Sequence, residues 1–271
     1  MAPSIFLTGA TGYTGGTVLN TLVTAHPEYD ITVLLWKPTE SFSEKYPDVK
    51  VLQGDFDSTE LLREAASKAD IVVHHGNSDH VPAVKALITG VTERAQASEP
   101  AFYIHLGGTG IIAESTNVGE LHPSLKLGST FYVGSGSNVY SRVHVEDVSQ
   151  VFLKLVEAAA DGGKGAGWGG EGYYFTATKE VSQFDIAVSV GKILRSKGQL
   201  ETEEPKQISL QDLDSLLAEI PVEGAARLIF GSNSRSNPDR ARKLLGYKPM
   251  GRSFLDSLED DLTRAMELSR R

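Results

Sequence analysis

Two rhythms of apolar and polar positions alternate over the first hundred residues. "SIFLTG" (4–9) is a short apolar run that stops at Gly9. In "GGTVLNTLVTAH" (15–26) the period changes, and Val18, Leu19, Leu22 and Val23 recur at the spacing of one helical face. "DITVLLW" (30–36) and "VKVLQGD" (49–55) return to apolar, β-branched runs, the second ending at Asp55. Ser58 is then placed to N-cap a helix over "TELLREAASKA" (59–69), with Leu61, Leu62 and Ala65 on its buried side. "DIVVHHG" (70–76), a helical "DHVPAVKALITGVTERAQA" (79–97) and "AFYIHLGG" (101–108) complete the series. Apolar strands separated by helices of ten to eighteen residues predict repeated βαβ units and a parallel sheet. Right-handed crossovers would stack the helices on both faces, so the expected fold is α/β, a Rossmann-type doubly wound sheet.

After Gly108 the rhythm stops. "IIAESTNVGELHPSLKLGST" (111–130) scatters polar residues, glycine and proline without helix-length apolar periodicity. A further parallel strand needs a crossover of a dozen or more residues, usually helical, and the pattern shows none before "TFYVGSGSNVYSRVHV" (130–145). "GGKGAGWGGEG" (162–172) holds seven glycines in eleven positions, the composition of a flexible loop or linker. No strand leads directly into it, which argues against a phosphate cradle. The remainder reads as mostly helical, in "VSQFDIAVSVGKILRSKG", "SLQDLDSLLAEI", "PDRARKLLGY" and "RSFLDSLEDDLTRAMELS". The expected organisation is a Rossmann domain over residues 1–123 and a smaller, mostly helical lobe over 124–271.

Gly9, Gly12 and Gly15 follow the first strand and open the first helix. In a dinucleotide-binding turn the first glycine permits the sharp turn, the second lets a diphosphate approach the backbone, and the third lets helix pack closely on strand. The helix N-terminus then offers unpaired N–H groups and the positive end of its dipole. A glycine triplet alone is weak evidence, because turns use glycine anyway; the strand before and the helix after are what the motif requires.

Composition narrows the partners. Net charge is −9, against a nucleic-acid partner, because phosphate-backbone binders rely on excess Lys and Arg. There is no cysteine, so neither a disulfide framework nor a thiolate zinc site can form. The acidic run "LEDDL" (258–262) lies in an amphipathic helix without a nearby histidine and reads as a solvated face rather than a metal site. No apolar run reaches the roughly 20 residues of a bilayer span, and the N-terminus runs into a strand without the basic and apolar regions of a signal peptide. The expected location is cytoplasmic.

"TGATGYTGG" (8–16) resembles the cofactor loop of the extended and atypical short-chain dehydrogenase/reductase superfamily, nearest to NAD(P)-dependent epimerase/dehydratase-like and NmrA-like proteins of fungal type. The likeness continues in order through "GDFDS", "VVHHGNSDH", "YIHLGGTGI", "VYSRVHVEDVSQVF", "WGGEGYYF" and "SNSRSNPDRARKLLGYKP", so it touches most of the chain. It implies an oxidoreductase or epimerase acting on a small carbonyl, alcohol or nucleotide-sugar-like substrate, or else a non-catalytic dinucleotide-binding regulator of NmrA type or a truncated, inactive member of the family.

Carried over residue by residue, the resemblance gives Thr11, Gly12, Tyr13 and Thr14 to the pyrophosphate beside Gly9 and Gly15. Asp55 and Phe56 would sit at the adenine, with Asp55 accepting from its amino group; Asp55 can equally end its strand at a turn. His75, Gly76 and Asn77 would run along the nicotinamide ribose, while His74 and His75 also read as histidines without a ligand. At the end of the second strand, an acid would hold the 2′-hydroxyl of NAD and a cation the 2′-phosphate of NADP. Trp36 and Lys37 stand there, Lys37 a point charge and Trp36 a cover for the adenine or for the sheet edge, which favours NADP over NAD.

The superfamily's chemistry uses a tyrosine as general acid/base, a lysine four residues later on the same helix face, and a serine or threonine after the fifth strand. Thr109 matches the hydroxyl. Of the nine tyrosines only Tyr46 has a lysine four residues on, Lys50, and Pro47 between them argues against a shared helix. The usual hydride chemistry is therefore expected to be absent or very weak. In the superfamily the same helix commonly builds the dimer interface, so its absence also removes the element through which a homodimer would form. Arg142, His144 and Asp147 fall beside the family's substrate cleft, and Arg235 or Arg240 would face a ligand phosphate or simply a surface acid.

Overall fold

The computed structural model describes residues 2–107, 116–218 and 224–268, with the backbone alone for 116–120 and 268. Two compact units divide the chain. The first comprises Met1–Gly110, Val145–Phe175 and Pro238–Lys248, the second Ile111–His144, Thr176–Asn237 and Pro249–Arg271. They interleave along the chain, whereas the sequence pattern suggests a single boundary after residue 123.

In the first unit the predicted strands form as β1 (Ser4–Thr8), β2 (Asp30–Leu35), β3 (Lys50–Gln53), β4 (Ile71–His74) and β5 (Phe102–His105). They make one parallel five-stranded sheet in the order β3-β2-β1-β4-β5. The order reverses between β1 and β4, and at such a switch point the carboxyl ends of the strands open a crevice. Alternation assigns each strand two faces. Ile5, Leu7, Ile71, Val73 and Ile104 pack with Val18, Leu19 and Leu22 of α1 (Tyr13–Ala25) and with Val151, Leu155 and Val156 of α6 (Val145–Ala160). Phe6 and Val72 face the other way, onto Leu62 and Ala66 of α3 (Thr59–Lys68) and Ala83 and Leu87 of α4 (Val81–Gln96). Each fully buried leucine of this kind contributes roughly 1.5–3 kcal/mol. Between β2 and β3 the chain forms a short α2 (Glu40–Lys45), capped by the Thr39 hydroxyl accepting from Phe42 N.

Ser58 occupies the N-cap position of α3 but makes no cap hydrogen bond. Its hydroxyl is instead drawn back to Asp55 Oδ1 at 2.8 Å, and Asp55 Oδ1 also accepts from the amides of Asp57 and Ser58 at 3.1 and 3.0 Å. These bonds close a turn just ahead of α3, so Ser58 is drawn into that turn and the expected side-chain cap of the helix is not made.

The glycine-rich segment 162–172 is not a loose linker. Trp168 Nε1 donates to Gly163 O at 2.9 Å, and its ring sits 4.7 Å from that of Phe102 on β5. Tyr174 OH donates to Gly167 O at 3.2 Å and accepts from Gly167 N at 2.5 Å. Glycine suits this bend because positions such as Gly163 adopt positive φ (+88°) with an aromatic ring alongside. Trp168 within the segment and Tyr174 just beyond it, not the glycines, fix its path.

The second unit corrects another expectation. Over part of the segment that shows no periodicity lies α5 (Thr116–Leu127), with Pro123 inside it. Leu121 is buried with Leu258 and Leu262 of α10 (Phe254–Leu268) and Ile186 and Val190 of α7 (Gln183–Ser196). One well-placed leucine and tertiary packing sustain a helix that its own pattern does not announce. No described strand extends the five-stranded sheet beyond β5. The next strand, β6 (Phe131–Val133), pairs in parallel with β9 (Lys206–Ile208), and β7 (Val139–Arg142) pairs antiparallel with β8 (Lys179–Ser182). Phe131, Leu213 of α8 (Leu210–Leu216) and Phe230 of a π-helical turn form a second small core. Among the described residues no helix is long and apolar enough to cross a membrane.

Candidate functional site

The carboxyl ends of β1 and β4 meet at the glycine turn. Gly9 adopts φ +79°, and a Cβ there would lie 2.6 Å from both the carbonyl carbon and the oxygen of His75. A Cβ on Gly15 would collide with Gly9 O and stand 3.0 Å from His75 Cβ. Gly12 N donates to Gly9 O at 3.0 Å, closing the turn. Gly12 is the N-cap of α1, and no side chain caps the helix. Backbone thus approaches backbone with no side chain between, and the positive end of a 13-residue helix is left to whatever lies over the turn. Thr11, Gly12 and Tyr13 are exposed there, and Thr14 is half-buried.

Trp36 and Lys37 follow β2. Trp36 is 66% exposed, and Lys37 Nζ lies 4.1 Å from its ring centroid, a cation–π pair at the surface. Asp55 begins the β3–α3 connection with Oδ1 committed to its own turn. The Ser58 hydroxyl, chiefly, and then the backbone amides hold this carboxyl below the usual carboxylate range. Phe56 packs so tightly on Gly76 that any Cβ at Gly76 would collide with its ring. Asp57 Oδ1 meets His80 Nε2 at 3.2 Å, tying the loop after β3 to the loop after β4.

Behind this edge lies a polar row that the sequence reading did not anticipate. Thr8, His74 and His105 are register neighbours on β1, β4 and β5. Thr8 Oγ1 and His74 Nδ1 are 2.6 Å apart, both residues fully buried. The His74 and His105 rings stack at 5.1 Å, and Tyr103 OH stands 3.0 Å from His105 Nδ1. Burial, then the neighbouring His105, lowers His74 to about 4; burial also lowers His105 and raises Tyr103. The row is neutral at physiological pH. The cross-strand register was the available signal: histidines at equivalent positions of adjacent predicted strands, "VVHH" and "FYIH".

His75, one residue beyond β4, is different. Its ring packs 4.1 Å from that of Phe152 on α6, and both nitrogens are sealed from solvent without a hydrogen-bond partner. Burial, then His74 and His105, lowers it to about 3.

Thr109 lies outside the described residues. Tyr46 and Lys50 do not share a helix: Tyr46 is the buried C-cap of α2, and Lys50 begins β3 with Nζ 2.7 Å from Asp30. The helix that follows β5 in sequence, α5, contains no tyrosine. In the first unit Arg240 bonds Glu171 at 2.6 Å and Tyr173 O at 3.0 Å, a structural tie. In the second, Arg235 pairs with Glu180 at 3.2 Å, and the Arg142 guanidinium lies 4.7 Å from the Phe254 ring. Asp147 is a buried acid in the first turn of α6. Among the described residues no group of three or more potential metal ligands occurs.

Residues 5–95 match the model of the NAD dependent epimerase/dehydratase family. Oxidase ucsJ of Acremonium sp. is 26% identical, the alignment covering 96% of this chain and 96% of the relative. That alignment runs over 343 positions, at least 72 more than the chain's 271 residues, so the relative carries stretches this chain lacks. Among solved structures, the NADPH-dependent quinone oxidoreductase QOR2 of Escherichia coli, complexed with NADPH, superposes with a TM-score of 0.62 at 14% identity, covering 97% of this chain and 99% of that one. UDP-glucuronic acid 4-epimerase of Bacillus cereus, in complex with NAD, does so with a TM-score of 0.61 at 13% identity, covering 98% and 99%. At these identities the superpositions speak for the fold, a Rossmann-type α/β arrangement.

Proposed function

We propose, from the match of residues 5–95 to the model of the NAD dependent epimerase/dehydratase family, that this chain binds a nicotinamide dinucleotide across the carboxyl ends of β1 and β4. One observation carries the reading: at Gly9 and Gly15 a Cβ would strike His75 or the turn itself, so the floor there is bare backbone at the N-terminus of α1. Bare amides and a helix dipole suit a diphosphate. The solved neighbours in complex with NADPH and NAD support the same ligand class.

NADP is the preferred form. Lys37 sits at the end of β2 with its ammonium over Trp36 and without a competing acid on either neighbour, Trp36 or Pro38, and a cation there complements a 2′-phosphate. When bound, the cofactor would supply a hydride acceptor or donor, and the chain's part is to hold and orient it. Thr11 to Gly15 face the diphosphate, Trp36 and Lys37 the 2′-phosphorylated adenosine, Asp55 and Phe56 the adenine, and His75 and Gly76 the ribose on the nicotinamide side. The substrate class is a small carbonyl, alcohol or nucleotide-sugar-like compound.

A second reading, a dinucleotide-binding regulator without turnover, is favoured by one observation. The only Tyr and Lys at the required spacing are split between the end of α2 and the start of β3, and α5 has no tyrosine.

Titration of tryptophan fluorescence with NADPH and NADH tests the binding. Trp36 is expected to respond, NADPH more tightly than NADH, and Trp36→Phe separates its signal from that of Trp168. Lys37→Glu should weaken NADPH about 10-fold, the size of one charge-assisted hydrogen bond, with little change for NADH. Silence toward both nucleotides would sink the proposal.

A further inference from the structure

At the end of the sheet opposite the glycine turn, a cavity of about 330 Å³ opens between α3 and strands β1, β2 and β3 of the first unit. Helix α3 carries two apolar rows. Leu62 and Ala66 are fully buried with Phe6 and Val72, which seats the helix over β1 and β4. The neighbouring row, Leu61, Ala65 and Ala69, is turned toward β2 and β3 and lines the cavity with Phe6 and Leu52. Two alanines stand where larger side chains would close the space. The strands begin here, at Ser4, Asp30 and Lys50, and β1 runs on to Thr8 before the glycine turn. At the rise of a strand that separates the two places by about 13 Å.

One polar group faces this apolar lining without a partner. Thr32 lies on β2 in register with Phe6 on β1 and Lys50 on β3. It is half-buried, and among the described residues its hydroxyl makes no hydrogen bond. The charges at the mouth are already matched. Lys50 Nζ lies 2.7 Å from Asp30, Lys68 Nζ 2.5 Å from Glu64, and the Ser4 hydroxyl donates to Asp70 at 2.7 Å. An incoming ion would have to break one of these pairs, whereas a neutral molecule leaves them intact. We propose that the cavity is a second ligand site, separate from the dinucleotide crevice, for a neutral one- or two-ring compound carrying a single hydroxyl or carbonyl. The rings fill the alanine-lined space and the polar group meets Thr32, whose hydroxyl both donates and accepts. Small-molecule pockets span roughly 300–1,000 Å³ and pair apolar walls with a few placed polar groups. This cavity has that composition and the size for a small occupant.

The probe is 2-naphthol, two fused rings with one hydroxyl, followed by ligand-observed NMR titration of the whole chain. Wild type should bind it with a Kd on the order of 0.1–1 mM, as befits a ligand of so few atoms. Thr32→Val keeps the shape of the side chain and removes the hydroxyl, and should weaken binding about 3- to 10-fold. Ala65→Phe fills the cavity and should bring binding below detection, with thermal unfolding at or above wild type because apolar contact is added. Thr32→Val carries the test if Ala65→Phe does not fold. The charged 2-naphthoate should bind about 10-fold more weakly than 2-naphthol, since its carboxylate must be desolvated beside apolar walls. Saturating NADPH should change the 2-naphthol affinity by no more than about 2-fold, as for distant, independent sites. No binding up to the solubility limit of 2-naphthol, undiminished binding in both variants, displacement by NADPH, or naphthoate held as tightly as naphthol would each overturn the proposal. So would sedimentation showing a wild-type dimer that Ala65→Phe dissociates, which would give the cavity to a second copy of the chain.

Discussion

At Gly15 one methyl group decides whether the turn can close. Its Cβ would have to occupy the place of Gly9 O, a backbone atom fixed by the strand behind it. Overpacking of this kind costs about 1–3 kcal/mol. Gly15→Ala is expected to lose that much in urea unfolding and to abolish response to NADPH. Gly170→Ala is the control, since a Cβ there meets nothing within 4 Å, and it should match wild type in both measurements. Side chains with two partners were harder to foresee than glycines with none. That Asp55 ends a strand is plain in "VLQGDFDS", but not that its carboxylate engages the Ser58 hydroxyl and the amides of Asp57 and Ser58 in a turn ahead of α3, leaving the helix without a side-chain cap. The orphaned state of His75 is a property of three dimensions, set by Phe152 and the glycine turn.

Among elements, the pairing of α1 with α6 is fastened by a proton. His26 caps the C-terminus of α1, stacks on Tyr29 at 4.3 Å, and places Nδ1 3.0 Å from Glu28 and Nε2 3.1 Å from Glu157 on α6. Lys154 also reaches Glu157, at 2.7 Å. An imidazole can satisfy two carboxylates only with both nitrogens protonated. Burial alone would lower its proton affinity, but the bonds to Glu157 and Glu28 outweigh that and raise it above 6.5. A raised folded-state value means the stabilisation is full below about 6.5, the ordinary histidine value, and is lost as pH rises through the folded-state value. Urea unfolding should show wild type more stable than His26→Gln by on the order of 1 kcal/mol at pH 5.5. The two should converge by pH 8.5; a gap that stays constant with pH would argue against a protonated His26.

The strands of the five-stranded sheet and helices α1, α3 and α4 are legible in sequence because Val18, Leu19, Leu22 and their counterparts repeat at clean periods, whereas α6, which packs on the same sheet, is not read from the pattern. Helix α5 is not, because it has one buried leucine and a proline at its centre, and its stability comes from α7 and α10. The composition of residues 162–172 misleads for the opposite reason. Seven glycines suggest freedom, yet Trp168 within the segment and Tyr174 just after it hold it in place.

For the molecule as a whole, the proposed reading joins a glycine turn suited to a dinucleotide with a Tyr46/Lys50 pair that does not share a helix. Assayed with NADPH and a panel of small aldehydes, ketones and quinones, the protein should turn over far below the roughly 1–1,000 s⁻¹ of ordinary enzymes. A rate within that range would mean that some group other than a Tyr/Lys pair moves the proton. The alignment of 343 positions with a 271-residue chain agrees with a protein that lacks pieces its relative retains.

The interleaving of the two units bears on what damage to the gene would do. The first unit is completed only by Pro238–Lys248, which carries α9 (Asp239–Leu245) and whose Ala241 and Tyr247 join the core of α1 and the sheet. A premature stop anywhere before codon 248 therefore removes part of the first unit, even though its glycine turn was translated more than two hundred residues earlier. Nonsense alleles should consequently yield protein that is degraded rather than a surviving N-terminal fragment that sequesters dinucleotide.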